Sequence, residues 1–275
     1  MVLMAVLIFA GSCVLLYPST ASWFSQVQQS REVNGYGSSI ESLGPEGRGS
    51  AIAAAQAYNQ TLTGGAILDP FTNEPAAELT EAAQNYAQQL SLSVDQIMAR
   101  LQIPSINVDL PIFHGTEDTV LQRGVGHLFG TALPVGGSGA HSVLTGHTGV
   151  PESTLLTHLD QVEMGDEFTV EVYGETLTYK VNSIEVVLPT ETDSLRAVQG
   201  EDLISLVTCT PLGINTHRLV VTGERIPTPS ADTSTGTTSE AAGPPWWAVG
   251  MGLTACASIG VVLVGARNGP SNKNP

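Results

Sequence analysis

The sequence predicts a mainly β domain whose strands close, or nearly close, into a barrel, preceded by helices and set between two apolar terminal segments. Three observations carry this. Beyond Met98 the chain turns into short runs of Val, Ile, Leu, Thr, Phe and Tyr, broken by Gly, Pro and Asp at strand-like intervals. Residues 168–173 and 176–181 alternate in polarity on either side of Gly174-Glu175, the pattern of a β-hairpin. Finally, residues 1–16 and 246–266 contain no charged side chain.

Taken in order, residues 1–17 form an N-terminal membrane anchor or signal segment, a little short for a span and without the basic residues that usually open one. Ser19-Thr20-Ala21 offers a small-residue cleavage site, and the absent basic start suggests a first Met lying inside a longer segment. Residues 18–98 form a helical region. Its first helix starts at Ser22, and after the breakers Gly44-Pro45 and Gly47 a second runs over 51–62, with Ser50 as its N-cap. Residues 64–75 are loop, and 74–90, rich in Ala and Gln, another helix. Residues 99–227 supply the barrel. Thr, Ser, Ala, Gly and Pro dominate 228–245, which is expected to be a flexible tether. The 21 residues of 246–266 are long enough to cross a bilayer. In the tail, 267–275, Arg267 and Lys273 are unopposed by acidic residues, which places it in the cytoplasm by the positive-inside rule.

Between Arg31 and Glu240 lie all 26 acidic residues and eight of the ten basic ones, an excess of eighteen negative charges. Such a surface repels nucleic acid and anionic lipid, so neither is an expected partner, while a lysine-bearing partner is tolerated. No Asp/Glu/His cluster has the look of a metal site, and no cofactor is expected.

Cys13 and Cys256 sit in the apolar ends, which leaves Cys209 as the one cysteine in the part of the chain that can lie in water. It stands in Ser205-Leu206-Val207-Thr208-Cys209-Thr210-Pro211, and Arg218 follows in Thr216-His217-Arg218-Leu219-Val220-Val221, beyond the turn Pro211-Leu212-Gly213. His147 occupies another strand-to-turn segment, Val143-Leu144-Thr145-Gly146-His147-Thr148-Gly149. A thiol, an imidazole and a guanidinium can act as nucleophile, acid/base and oxyanion donor. A lone strand cysteine is more often inert core, and a strand-end arginine more often a surface ion pair. The setting outside the membrane and the flanking motifs favour catalysis.

The segments Leu-Val-Thr-Cys-Thr-Pro, Gly-His-Thr-Gly and Thr-His-Arg-Leu-Val-Val-Thr-Gly resemble the cysteine, histidine and arginine segments of the sortases, specifically the pilus-building class C. Pro104-Ser105-Ile106, Asp109-Leu110-Pro111-Ile112, Gly126-His127-Leu128, 131–137 and Gly165-Asp166 resemble that class too, in the same order, from about Leu101 to Ile226. The resemblance implies an eight-stranded β-barrel with N-terminal helices and a lid loop, and a membrane-anchored cysteine transpeptidase facing the cell exterior. It also implies catalytic roles for Cys209, His147 and Arg218, the remaining histidines at 114, 127, 141, 158 and 217 being read as surface residues. The expected substrates are pilin subunits with a Leu-Pro-x-Thr-Gly-like signal, cleaved after Thr to leave a thioester that a pilin lysine resolves as an isopeptide bond. Leu16-Tyr17-Pro18 and Trp23 resemble the segment after the first anchor of this class, favouring an uncleaved anchor. Asp69-Pro70-Phe71, by itself an ordinary turn, resembles the class's lid, with Asp69 facing Arg218 and Phe71 facing Cys209. Ser205 and Ala132 depart from the class pattern, where Thr and Ser are usual, and are expected to alter substrate contacts. The rival readings are a sortase that anchors proteins to the cell wall, a cysteine hydrolase with the same three residues, and a non-enzymatic surface pilin or adhesin. A pilin should carry its signal just before the second apolar run, where Gly243-Pro244-Pro245 stands instead.

Overall fold

The computed structural model describes residues 2–62, 69–71, 81–92, 96–229, 239 and 242–267. They divide into two compact units, one of Met1–Gln26, Pro151–Ser153 and Ala242–Pro275, the other of Val27–Val150 and Thr154–Ala241.

The first unit holds the start of helix α1 (Val2–Thr61) and helix α4 (Trp246–Arg267). Both are long and apolar enough to cross a membrane, and Leu3, Leu7, Leu15, Leu253 and Leu263 point outward from them. These helices are consistent with membrane anchoring. Trp23 Nε1 donates to the Gly243 carbonyl at 2.7 Å, and the Trp23 ring meets Phe24 and Trp247 edge-on.

In the second unit the rest of α1 is continuous with the apolar segment rather than starting at Ser22. Its one break is at Gly44, whose φ of 67° and ψ of 171° step outside helical geometry. Glycine adopts a positive φ without the penalty a side chain would bring, and Pro45 has the fixed φ of a helix's first turn. Helix therefore resumes at Pro45, and Ser50, expected to be the N-cap, lies inside it. Tyr36, on this helix, donates from its hydroxyl to the Met98 carbonyl and accepts from the Tyr173 amide, joining α1 to the sheet. Helix α2 (Glu81–Gln88) falls within the expected 74–90 helix, whose first residues lie outside those described. The tether of 228–245 lies largely outside them as well. Besides Gly243, two more of its described residues are held: Thr228 donates to the Thr176 carbonyl, and Ser239 donates to Asp109.

Eight strands close a mixed barrel: β1 (Ile97–Ile103), β2 (Val108–His114), β3 (Val125–His127), β4 (Ala140–Thr145), β5 (Glu167–Val172), β6 (Glu175–Val187), β7 (Asp202–Thr210) and β8 (His217–Ile226). Their order is β1-β2-β3-β4-β7-β8-β6-β5, with β2–β3 and β4–β7 parallel and β5 closing on β1. A short helix α3 (Asp118–Leu121) bridges β2 and β3. The expected hairpin is β5–β6, with its turn one residue earlier than Gly174-Glu175. Val172 pairs with Glu175, and the two loop residues Tyr173 and Gly174 both have positive φ, 50° and 83°. A two-residue loop of that kind matches the right-handed strand twist, and the chain bends where Gly174 supplies the second positive φ. Leu101, Ile112, Leu144, Phe168, Val170, Ile204, Leu206 and Val221 fill the interior, joined by Ile52, Ala55 and Tyr58 of α1.

Two histidines read as surface residues are interior ones, His127 and His141, while half-buried His114 donates from Nε2 to the Gln89 carbonyl at 2.8 Å. His127 Nε2 faces the Ala132 carbonyl at 2.8 Å and must donate there, so its Nδ1 accepts from the Tyr86 hydroxyl at 2.9 Å. Burial opposes a charged imidazole and lowers the His127 pKa from 6.5 to about 4. Burial lowers those of His114 and His141 too. A depressed histidine binds its proton less readily folded than unfolded, so stability is complete above pH 6.5 and is lost as pH falls towards 4. His127 alone accounts for about 3 kcal/mol across that window. Carboxylates titrate mostly below about pH 5, so a thermal midpoint that drops between pH 6.5 and 5 reports the histidines. A flat midpoint over that interval would count against neutral, buried imidazoles.

Candidate active site

Cys209 lies at the end of β7 and Arg218 at the start of β8, and the register pairs them directly. The intervening turn sets that register: the Pro211 carbonyl accepts from the amides of Ile214 and Asn215, at 3.0 and 2.9 Å. Alternation along the strands puts Val207 and Val220 on the same face as this pair and sends Leu206 and Leu219 into the main core. His217, next to Arg218, is correspondingly more exposed, and its ring Nδ1 lies 2.9 Å from the Thr216 hydroxyl beside it.

His147 is delivered to this end of the sheet by the parallel β4–β7 pair. Gly146 N donates to the Val207 carbonyl at 3.1 Å, and Thr208 Oγ1 donates to the Gly146 carbonyl at 2.8 Å. The turn that begins with Gly146 is therefore stitched to the strand that ends in Cys209. His147 Nε2 lies 3.1 Å from Asp118 Oδ1, on α3. Asp118 was not anticipated. It is 29 residues away in sequence, and nothing in its neighbourhood distinguishes it from any helix-starting acid.

The Arg218 guanidinium is fully committed. Its Nε and Nη2 donate to Asp69 Oδ1 and Oδ2, each at 2.7 Å, and Nη1 donates to the carbonyls of Asn215 and His217. The ion pair is buried, with side-chain exposures of 10% for Arg218 and 5% for Asp69. The Phe71 ring lies 5.9 Å from the His147 ring and 4.9 Å from the Arg218 guanidinium carbon. It packs on the apolar cluster of Leu128, Val143, Leu195, Val207 and Val220. Asp69, Pro70 and Phe71 are the described residues of the expected 64–75 lid.

Burial raises the Cys209 thiol pKa, Arg218 pulls it down, and Asp69 pushes it up again. Asp69 thus blocks the guanidinium and opposes the thiolate at once. The Asp69 hydrogen bonds in turn hold Arg218 even more firmly protonated than usual.

Ser205, expected to alter substrate contacts, is completely buried. Its hydroxyl lies 2.8 Å from His141 Nε2 and 2.7 Å from Thr222 Oγ1, so its role is internal to the wall. Ala132 is also buried and offers its carbonyl to His127. Among the described residues, no group of three His, Cys, Asp or Glu side chains could hold a metal ion.

A family model described as a sortase domain matches residues 101–226. Sortase C-1 from Actinomyces oris is 52% identical, covering 66% of this chain and 99% of its own, with a TM-score of 0.62. A lid mutant of sortase A from Corynebacterium diphtheriae is 40% identical, covering 68% and 98%, with a TM-score of 0.63. Sortase C from Streptococcus pneumoniae, whose structure is described as bearing on pilin substrate specificity, is 35% identical, covering 72% and 97%, with a TM-score of 0.64. An eight-stranded barrel, a cysteine at the end of one strand and matches of this extent along nearly the whole of each relative lead to one conclusion: the chain belongs to the sortase family of cysteine transpeptidases, within class C.

Proposed function

We propose that this protein joins pilin subunits: Cys209 cleaves a Leu-Pro-x-Thr-Gly-like signal after Thr, and a lysine of the next subunit takes over the acyl group. The observation that carries the reading is the Asp69 carboxylate forked onto Arg218, with the Phe71 ring against both Arg218 and His147. A segment held across the site in this way fits an enzyme that opens only for a protein substrate, and one similar protein is known through a structure described as a lid mutant.

The chemistry uses the chain's own groups. His147 takes the Cys209 thiol proton and the sulfur attacks the Thr carbonyl carbon while Arg218, released by Asp69, donates to the developing oxyanion. As the carbon–nitrogen bond breaks, His147 passes that proton to the departing glycine amine. The neutral lysine amine then attacks the thioester, His147 takes its proton, and as the carbon–sulfur bond breaks His147 returns a proton to the sulfur to regenerate the thiol. One amide replaces another, and no oxidant or metal enters the balance. Asp118 is placed to orient His147 through Nε2.

Product analysis tests this reading. A signal peptide incubated with a lysine-bearing peptide should yield the isopeptide-linked product, whereas hydrolysis alone, whatever the amine concentration, would favour a cysteine hydrolase. A product formed only with cell-wall peptide amines would favour the wall-anchoring alternative. We further propose that both terminal helices cross the membrane, with the barrel outside and the tail of Arg267 and Lys273 in the cytoplasm. A topology reporter fused after Pro275 should respond as cytoplasmic, and an external response would refute this orientation.

A further inference from the structure

The face of the sheet that carries Cys209 extends well beyond it. From the Cys209–Arg218 pair it runs back along β7 and β8 through Val207 and Val220 to Ser205 and Thr222. On β4, Val143 and then His141 continue the same face, with His141 bonded to Ser205. Phe71 and Leu195 cover its middle. At its far end opens a cavity of about 770 Å³, walled by Gln56 and Gln60 of α1, by His141 and Leu195, and by the glycine-rich backbone of residues 136–139. Leu195 borders both the Phe71 cluster and this cavity, so the two are neighbours along one wall.

The register gives the separation. His141 pairs with Leu203, six residues before Cys209, which is about 20 Å at 3.3 Å per residue. An extended peptide covers the same distance with about six residues. The direction follows from His147: it serves the amine, and it lies at the opposite end of β4 from His141. The acyl side of the donor is therefore the part that runs towards the cavity. The four residues of Leu-Pro-x-Thr take up the first stretch, and the residues just ahead of the Leu arrive at the cavity.

The lining is suited to uncharged chain. Gly137 N is already held by Asp202, and Asn59 bonds both backbone groups of Leu133. Among the described residues, the only formal charge in the wall is Arg196, paired with Asp193 at 3.0 Å. Amides and small side chains remain to meet a peptide of neutral residues. We infer that this cavity binds the donor's segment immediately ahead of its sorting signal and thereby selects among donors. The inference rests on cleavage at Cys209 as proposed above.

A length series tests it on the full chain in detergent micelles. Acetylated Leu-Pro-x-Thr-Gly peptides carry zero, two, four or six added residues of Ala, Ser and Gln on the N-terminal side, and kcat/KM is measured for each. The value should rise by about tenfold or more as the first few residues are added and then level off, as expected for seating one or two side chains. A photoreactive residue two places ahead of the Leu should crosslink to 130–140 or 195–197. If the shortest peptide is cleaved as well as the longest, or the crosslink maps elsewhere, the cavity is not this subsite while the cleavage reading stands. If no peptide is cleaved, both fall.

Discussion

Cys209→Ala is expected to abolish both cleavage of a sorting-signal peptide and lysine ligation, lowering turnover by at least about a thousandfold, while the barrel stays folded. The thiol lies near the end of a strand, on the face shared with Val207, and is a small side chain, so its loss removes the nucleophile and little else. The two partners should show smaller but severe losses. His147→Ala forgoes general acid and base action, roughly a hundredfold to ten-thousandfold. Arg218→Ala forgoes the oxyanion donor, about a hundredfold to a thousandfold. Arg218 carries an extra signature because its removal also takes the guanidinium away from the buried carboxylate of Asp69. The Arg218 variant should therefore release the lid as well as lose turnover, giving a thiol open to reagents in an enzyme that cannot use it. Near-normal turnover of the Cys209 variant would end the cysteine mechanism.

The second large effect is expected from Asp69→Ala combined with Phe71→Ala. Asp69 makes two 2.7 Å bonds to Arg218 in a buried pair, and Phe71 packs on an apolar cluster, so the lid's hold is about 2 to 4 kcal/mol. Losing both should speed thiol modification of Cys209 and cleavage of a short signal peptide by tens to hundreds of times. Two causes add. The site opens, and the carboxylate that pushes the thiol pKa up is gone, so more of Cys209 is thiolate near neutral pH. The single variants separate them: Asp69→Asn should move the pH dependence of thiol modification downward, whereas Phe71→Ala should chiefly raise its rate at every pH. Equal reactivity in parent and double variant, both folded, would reduce 69–71 to a turn and favour a sortase without a lid.

How much of this was legible in the sequence depended on how local the cause was. Period-two alternation at 168–173 and 176–181 is local, and it located the hairpin to within one residue. The error came from the turn, where Tyr173, not Glu175, is the loop residue beside Gly174 and takes a positive φ. Helix α1 was read in pieces because breakers were counted, whereas only Gly44 actually leaves helical geometry. The Cys209–Arg218 pair could be foreseen, since a turn between two β-rich runs brings their ends together. Asp118 could not be, because its approach to His147 is a product of barrel closure. The buried histidines were missed for a related reason. His127 and His141 are tolerable inside only because Ala132, Tyr86, Ser205 and Arg196 supply their bonds, and none of those partnerships has a sequence signature. The approach of Asp69 to Arg218 was foreseeable through family resemblance alone.

The central claim, a thioester on Cys209 formed beneath a displaced lid, is tested most directly by intact-protein mass spectrometry of the enzyme quenched in acid during turnover of a Leu-Pro-x-Thr-Gly peptide. The account predicts one adduct with the mass of the acyl fragment ending in Thr, mapped to Cys209, removed by hydroxylamine or by a lysine peptide, and more abundant in the Asp69→Ala, Phe71→Ala variant. Product formation with no such adduct, or an adduct that persists in Cys209→Ala, would contradict it.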